Sequence, residues 1–358
     1  MTNTNIKIAV VGAGIMGITS AYTLHNTFPD AEISLFDPKG FPAPNASFIA
    51  GGMLSPYSEL DHMPHSYLEA GCASIGIWED LSAQCDSNIE FSQNGSLIIA
   101  HDADEFMLRR FISILPKDDE NWSGINQKQI QALEPALPAH IFRSGLFMKN
   151  EAHLHPQKVM REMLEQINRK VIQEFNIDKQ SDAFDWIIDC SGISSHTQAS
   201  TLRGVKGETV VVRNPDFKLS RPLRLMHPRY PLYIVPRADD IFMIGATIIE
   251  SDARKTLSIR SAMELMSALY IIHPSFGDAE IIRMDSDIRP SYADNMPQIH
   301  QDGKIISCNG LFRHGYLFAP IMAQCAASII SQTDYTFNSL FIRTGYDEYC
   351  TKRQQAHA

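Results

Sequence analysis

The sequence predicts an α/β chain of two interleaved domains, one a parallel sheet flanked by helices and the other rich in short alternating strands. Three observations carry this prediction. Residues 6–37, IKIAVVGAGIMGITSAYTLHNTFPDAEISLFD, read as strand, glycine turn, helix, strand and terminal acid in one unit. Short alternating strands dominate two later blocks, 89–144 and 204–282. Apolar strands ending in glycine return at 184–192 and 304–310.

In the first unit Ile6, Ile8, Val10 and Val11 supply a β-branched strand, and Gly12, Gly14 and Gly17 stand in G-x-G-x-x-G register where a helix opens. Gly12 permits the tight turn, Gly14 lets backbone N–H groups approach a pyrophosphate, and Gly17 allows close packing of helix on strand. The helix N-terminus turns about half a positive charge towards those phosphates. Asp37 follows the second strand, Glu32 to Phe36, where a carboxylate accepts from ribose hydroxyls, and this acid argues against NADP. The unit is thus a Rossmann-type dinucleotide site. A signal peptide is the competing reading of the apolar start. Three glycines and Lys7 interrupt the run, no basic segment opens it and no small-residue cleavage site ends it, so a cytoplasmic protein is expected.

A chain of 358 residues with 44% hydrophobic content suits two domains better than one simple core. A net charge of −10 without a lysine or arginine run argues against nucleic acid or an anionic membrane as partner. Six cysteines show neither C-x-x-C nor regular spacing, so buried, reduced thiols are expected rather than disulfides or zinc. His62-x-x-His65 and His153-x-His155 lack the Cys, Asp or Glu framework of a metal site, and no metal is expected. The uncharged run 315–330 is shorter than the roughly 20 residues of a spanning helix. Gly315 and Pro320 suit the opening of a buried helix against a ligand.

Further along, a Pro/Ala/Asn loop at 40–46 precedes SFIAGGMLSPYSEL, whose glycine pair beside Met53 suggests close approach to a flat ligand, and a helical stretch follows through Glu79. A strand at Ser96–Ala100 and amphipathic helices near 104–113 and 127–134 form the start of the second domain. A helix from Pro156 to about Arg169 and the buried strand in FDWIIDCSG, with Gly192 in its turn, return the chain to the first domain. Strands are expected at 208–213, 232–236, 241–246 and 304–308, and a helix at 258–271.

Several separated motifs agree with one family. These are GAGIMG with Asp37, ASFIAGGMLSP (46–56), EAHLHP (151–156), RGVKGE (203–208), HPRYPLYIVPR (227–237), IGATIIES (244–251), DIRPSYADNMPQI (287–299) and NGLFRHGYLFAP (309–320). Through them the chain from about residue 6 to 333 resembles the D-amino acid oxidase family of FAD-dependent oxidoreductases, most closely the glycine oxidases of thiamine biosynthesis. The resemblance implies a Rossmann-type FAD-binding domain (1–83, 145–204 and 288–345), interleaved with a mixed-sheet α+β substrate domain (84–144 and 205–287) and followed by a polar tail, 346–358.

It further implies non-covalent FAD, since Tyr292 and no cysteine stands where relatives with a thioether link place one. Carried over by position, Gly12, Gly14, Ile15, Met16 and Gly17 lie along the pyrophosphate, Asp37 at the ribose, Ala46 and Ser47 at the phosphates, and Gly51, Gly52 and Met53 against the isoalloxazine. Val171 contacts the adenine through its backbone, and Gly192 adjoins the cofactor. Leu311, Phe312, Arg313, His314, Gly315, Tyr316 and Leu317 bring N–H groups and the last helix near flavin N1 and C2=O, where negative charge builds on reduction.

For substrate, the guanidinium fork of Arg289 suits an α-carboxylate, with an interdomain salt bridge as the bland alternative. Tyr233 is placed to share that carboxylate, against the alternative of a core tyrosine. Arg313 could attract the carboxylate or stabilise reduced flavin, and the sequence does not choose. The implied reaction is oxidative deamination of glycine or a small amine or D-amino acid by hydride transfer from Cα to flavin N5, with dioxygen as oxidant. Imine or keto acid, ammonia and hydrogen peroxide are its products. A flavoprotein dehydrogenase subunit passing electrons to a partner is the alternative, and a homo-oligomer is left open. An NAD-dependent dehydrogenase would leave the glycine loops at 51–52 and 310–315 without purpose. Ile248 and Pro231 depart from residues that some glycine oxidases carry near the pocket, and 168–185 is shorter than the family's usual meander.

Overall fold

The computed structural model describes residues 6–85, 88–195, 202–228 and 232–343; Pro231 and the tail 346–358 lie outside the described residues. Along the chain run β1 (Lys7–Val11), α1 (Ile15–Thr27), β2 (Glu32–Phe36), β3 (Met53–Leu54) and α2 (Leu68–Gln84). Next come β4 (Ser96–Ala100), α3 (Glu105–Ile112), β5 (Trp122–Asn126), α4 (Gln127–Leu133), β6 (Ser144–Met148), β7 (Ala152–His153) and α5 (Pro156–Gln166). They are followed by β8 (Val171–Ile172), α6 (Ile177–Gln180), β9 (Trp186–Asp189), β10 (Arg203–Arg213), β11 (Leu223–Met226), β12 (Leu232–Pro236), β13 (Ile241–Gly245) and β14 (Ile249–Glu250). The chain continues with α7 (Ile259–Ile272), β15 (Glu280–Ser291), β16 (Gln298–Asp302), β17 (Ile305–Asn309), α8 (Gly315–Ser331) and α9 (Asn338–Phe341).

Contacts divide the chain into two units, the first comprising 1–43, 160–203 and 289–358 and the second 44–159 and 204–288. The α/β class expected from the sequence is observed. In the first unit the sheet order is β16-β17-β9-β1-β2-β8, parallel except for β16 on β17. The chain passes from β1 to β2 on one side and returns as β9 on the other, so β1 is a topological switch point, and ligands of such sheets bind beyond the strands' carboxyl ends. Ile8, Ala9 and Val10 are fully buried there. α1 is covered by both the sheet and α8, which explains why α8 carries no charge and buries residues on every side. The shortened 168–185 segment contributes Phe175 and Phe184, which pack on Phe36 with ring centroids 4.3 and 5.9 Å away.

The second unit holds a nine-stranded mixed sheet, ordered β14-β10-β13-β12-β11-β4-β6-β5 with β15 also on β10. β11 runs parallel to β4, and the ladders of β12 with β11 and β13 are antiparallel. Leu97, Val210, Phe217, Leu223, Ile234 and Phe242 form its core, onto which α7 lays Leu265, Ala268, Leu269 and Ile272. β10 starts five residues before its expected position of 208, because Gly204 and Gly207 weaken the strand signal. At Gly204 the reason is close approach: a Cβ would sit 2.8 Å from Ile288 Cγ2 and 2.9 Å from Asp252 Cα.

The five described cysteines are free thiols. Cys190, Cys308 and Cys325 are buried as expected, whereas Cys72 is exposed and Cys85 partly so, both on the solvent side of α2 or at its end. No helix among the described residues is long and apolar enough to cross a membrane.

Candidate active site

In the first unit the three glycines of the opening motif meet distinct demands. Gly12 has φ +105°, and a Cβ there would lie 2.4 Å from the Cys190 carbonyl oxygen, where the β9 turn crosses it. At Gly17 a Cβ would meet the Gly12 carbonyl oxygen at 1.8 Å, so helix and turn touch backbone to backbone. Gly14 is the N-cap of α1 and brings no side chain to compete for the helix's opening N–H groups; Ile15 and Met16 begin the buried helix behind it. Asp37 accepts hydrogen bonds from the Ala13 and Lys39 N–H groups, each at 2.8 Å. An ionised carboxylate has about four acceptor positions, so two bonds leave capacity for a hydroxyl donor. Val171 lies beside Asp37, opposite Leu35 on the edge strand β8, and Ile172 accepts from the Asp37 N–H at 3.0 Å.

The same unit brings the C-terminal loop to this end of the sheet. A Cβ on Gly315, the first residue of α8, would lie 3.3 Å from Ile15 Cγ2, so α1 and α8 start side by side. Neither first turn contains an acid. Asn309 Nδ2 donates to the Gly192 carbonyl at 3.0 Å, Phe312 N–H donates to the Pro290 carbonyl at 2.9 Å, and Ser291 bridges to Leu311. Arg289 is therefore on a strand end joined to the 310–315 loop, in which Gly310 (φ +74°) and Phe312 (φ 48°) take left-handed conformations. Arg313 is half-buried, and His314, Tyr316 and Leu317 are buried. A Cβ at Gly310 would overlap the Tyr292 ring, 2.1 Å from Cδ2, which gives Tyr292 a packing role.

In the second unit Ala46 and Ser47 form a turn capped by Asn45, whose Oδ1 accepts from Phe48 N–H at 2.9 Å. Met53 pairs with His153 and Leu54 with Ala152. Gly52 has φ +64°, and a Cβ would lie 2.2 Å from the Leu154 carbonyl oxygen, so its glycine is required by the chain itself. A Cβ at Gly51 would lie 2.8 Å from Tyr233 Cε2, and one at Gly245 2.8 Å from Tyr233 Oη. Tyr233 thus occupies a trough between two residues without side chains. Ile248 is 44% exposed, next to β14.

Four residues around this loop carry no role in the sequence reading. Arg237 donates from Nη2 to the Gly51 carbonyl at 2.5 Å. Burial, and then the Arg237 charge, hold the His153 imidazole down at about 3 and His155 at about 4, so both are neutral. Glu151 is buried and pushed up by desolvation; it accepts from Ser58 N–H and Oγ, each at 2.7 Å, and from Ser96 Oγ. The available signal for Arg237 was a basic residue closing an apolar strand in LYIVPR. A groove of about 370 Å³ near Glu105, Arg109, Gln129 and Arg143 includes none of the candidate residues.

Comparison with known proteins accords with this arrangement. The family of FAD dependent oxidoreductases abbreviated DAO matches residues 7–329. The chain is 37% identical over 325 residues, 89% of its length and 94% of the relative's, to a putative thiamine biosynthesis oxidoreductase ThiO of Rhizobium etli. Glycine oxidase from Geobacillus kaustophilus superposes with a TM-score of 0.80 over 95% of this chain and 99% of that one, at 19% identity. L-proline dehydrogenase from P. horikoshii does so with a TM-score of 0.75 over 95% and 99%, at 16% identity. With a match spanning nearly all the described residues and a relative above a third identical, this chain belongs to the DAO family of FAD-dependent oxidoreductases.

Proposed function

We propose that the chain is an amino acid oxidase of the glycine-oxidase type, acting on glycine or a small amine or D-amino acid and serving thiamine biosynthesis in the cytoplasm. In this reading residues 1–83, 145–204 and 288–345 form the cofactor-binding domain, and 84–144 and 205–287 the substrate-binding domain. The observation that carries it is the convergence, at the carboxyl ends of β1 and β9, of two helix N-termini without acids and the loop joined to the Arg289 strand. The donor set fits FAD: helix N–H groups for the pyrophosphate, the Asp37 carboxylate for ribose hydroxyls, and the start of α8 for a charge-accumulating ring edge. The match to a protein named for thiamine biosynthesis supports the pathway.

When bound, FAD would accept the substrate's Cα hydride and pass the two electrons to dioxygen as hydrogen peroxide, leaving an imine that would hydrolyse to keto acid and ammonia. Arg289 binds the substrate carboxylate through two parallel N–H bonds, which fixes the direction of the Cα–H. Tyr233 donates its phenol to a carboxylate oxygen. The N–H groups at the start of α8 would face the developing negative charge, with Arg313 in the loop before it. No side-chain base is required if the bound amine loses its proton to solvent.

The fold houses an oxidase in Geobacillus and a dehydrogenase in P. horikoshii, so the electron acceptor is decided by experiment. The visible spectrum of the FAD-loaded protein is recorded without oxygen, with glycine added, and after admitting air. Loss of the flavin band followed by rapid return with peroxide is expected. Loss without rapid return would favour the dehydrogenase subunit, and a persistent band would reject glycine as substrate.

A further inference from the structure

We infer that Arg237 is a positioning residue for Tyr233 and acts through the backbone of Gly51; the inference rests on the reading of Tyr233 as a carboxylate-binding phenol. Tyr233, Val235 and Arg237 alternate along one strand and its continuation, so their side chains leave the same face of the sheet. On the neighbouring strand Gly245 stands opposite Tyr233, and Met243 opposite Val235. The start of the Gly51–Leu54 segment lies on this face: a Cβ at Gly51 would touch Tyr233 Cε2 at 2.8 Å and Met243 Sδ at 3.5 Å. The phenol leans across β13, with its oxygen over Gly245. The ring packs directly on these two glycines, so the position of the Gly51 backbone sets where the phenol can sit.

Arg237 fixes the Gly51 side of this contact. Its Nη2 donates to the Gly51 carbonyl at 2.5 Å and its Nη1 to its neighbour Pro236 at 3.4 Å, so the guanidinium ties the wall of the trough to the strand that bears the ring. The segment is held further on by Met53 and Leu54 pairing with β7, and beyond that by Glu151 accepting from Ser58 N–H. The Arg237 bond acts directly at Gly51, a residue that touches the phenol. His153 and His155 stay neutral beside it and add no competing charge.

The experiment uses the full-length, FAD-loaded protein as wild type, Arg237→Met, Arg237→Lys, Tyr233→Phe and the double variant Arg237→Met with Tyr233→Phe. KM and kcat are measured for glycine, and each protein is labelled with 3-fluorotyrosine, the fluorine line of Tyr233 being the one that Tyr233→Phe removes. Arg237→Met is expected to raise KM about tenfold, the effect of one lost charge-assisted hydrogen bond, with kcat changing less than about threefold. The Tyr233 line should shift or broaden. In the Tyr233→Phe background the same substitution should change KM by less than about twofold, because residues acting as one unit are not additive. Arg237→Lys, which keeps charge and one donor, should fall between, and it carries the comparison if the methionine variant does not fold. An unmoved fluorine line, or effects on KM that multiply fully in the double variant, would overturn the inference. If Tyr233→Phe alone leaves KM unchanged, the carboxylate reading of Tyr233 fails, and the fluorine line still decides whether Arg237 holds the ring.

Discussion

Gly12 and Gly192 are both turn glycines with positive φ, yet they face different surroundings. A methyl at Gly12 would press on the Cys190 carbonyl at 2.4 Å, and backbone cannot yield there; at Gly192 the nearest atom is Pro290 Cγ at 3.7 Å. Gly12→Ala is expected to yield protein without a flavin band. Gly192→Ala should retain flavin and lose about 1 kcal/mol, the strain of a left-handed alanine, in urea titration. For substrate binding, Arg289→Ala should lower kcat/KM by about 2–4 kcal/mol in transition-state terms, mostly through KM, and unchanged kinetics would refute its role. At this scale the sequence shows which residue types stand where, and local constraints such as Gly12 and Gly17 follow from spacing alone. Tyr233 against Gly51 does not, since the contact joins residues far apart in the chain and depends on a register no local pattern encodes. Gly52 carries a demand that its local pattern does not show: it makes room for the Leu154 carbonyl.

Elements with strong local signals were legible at their ends as well as their centres. β12 spans Leu232–Pro236 as expected, and α7 begins after Ser258, whose Oγ accepts from Ser261 N–H at 3.1 Å. Removing that cap by Ser258→Ala should cost about 1 kcal/mol in chemical denaturation without changing flavin content. Elements set by tertiary contact were less legible. β3 and β7 have two residues each and exist because each pairs with the other. β10 runs through Gly204, where Ile288 and Asp252 leave no room for a Cβ, and which local propensity reads as a break.

Over the whole chain, acid stability follows from buried imidazoles. Burial, followed by nearby arginine charge, holds His153 at about 3, and His155 and His300 at about 4. An unfolded chain protonates its histidines near pH 6.5 while these stay neutral in the native state, so the unfolded state binds more protons in that window. Stability should therefore fall as pH drops from about 6.5 towards 4, by up to about 1.4 kcal/mol per pH unit for each group. Urea titrations at pH 7, 5.5 and 4.5 check this, and equal midpoints would contradict it.

The discontinuity of the first unit also sets an order of events during synthesis. β1 is complete at Val11, but its neighbour β9 ends at Asp189, β17 follows at Asn309, and α8, which packs on α1, ends at Ser331. At the usual pace of translation, roughly 15–60 s separate the emergence of β1 from that of α8. Until β9 and α8 emerge, one edge of β1 and the face of α1 that α8 covers lack their partners, and they are what a nascent-chain chaperone would find. A ribosome stalled before α8 should therefore hold a protease-sensitive N-terminus that becomes protected only when the last helix is released.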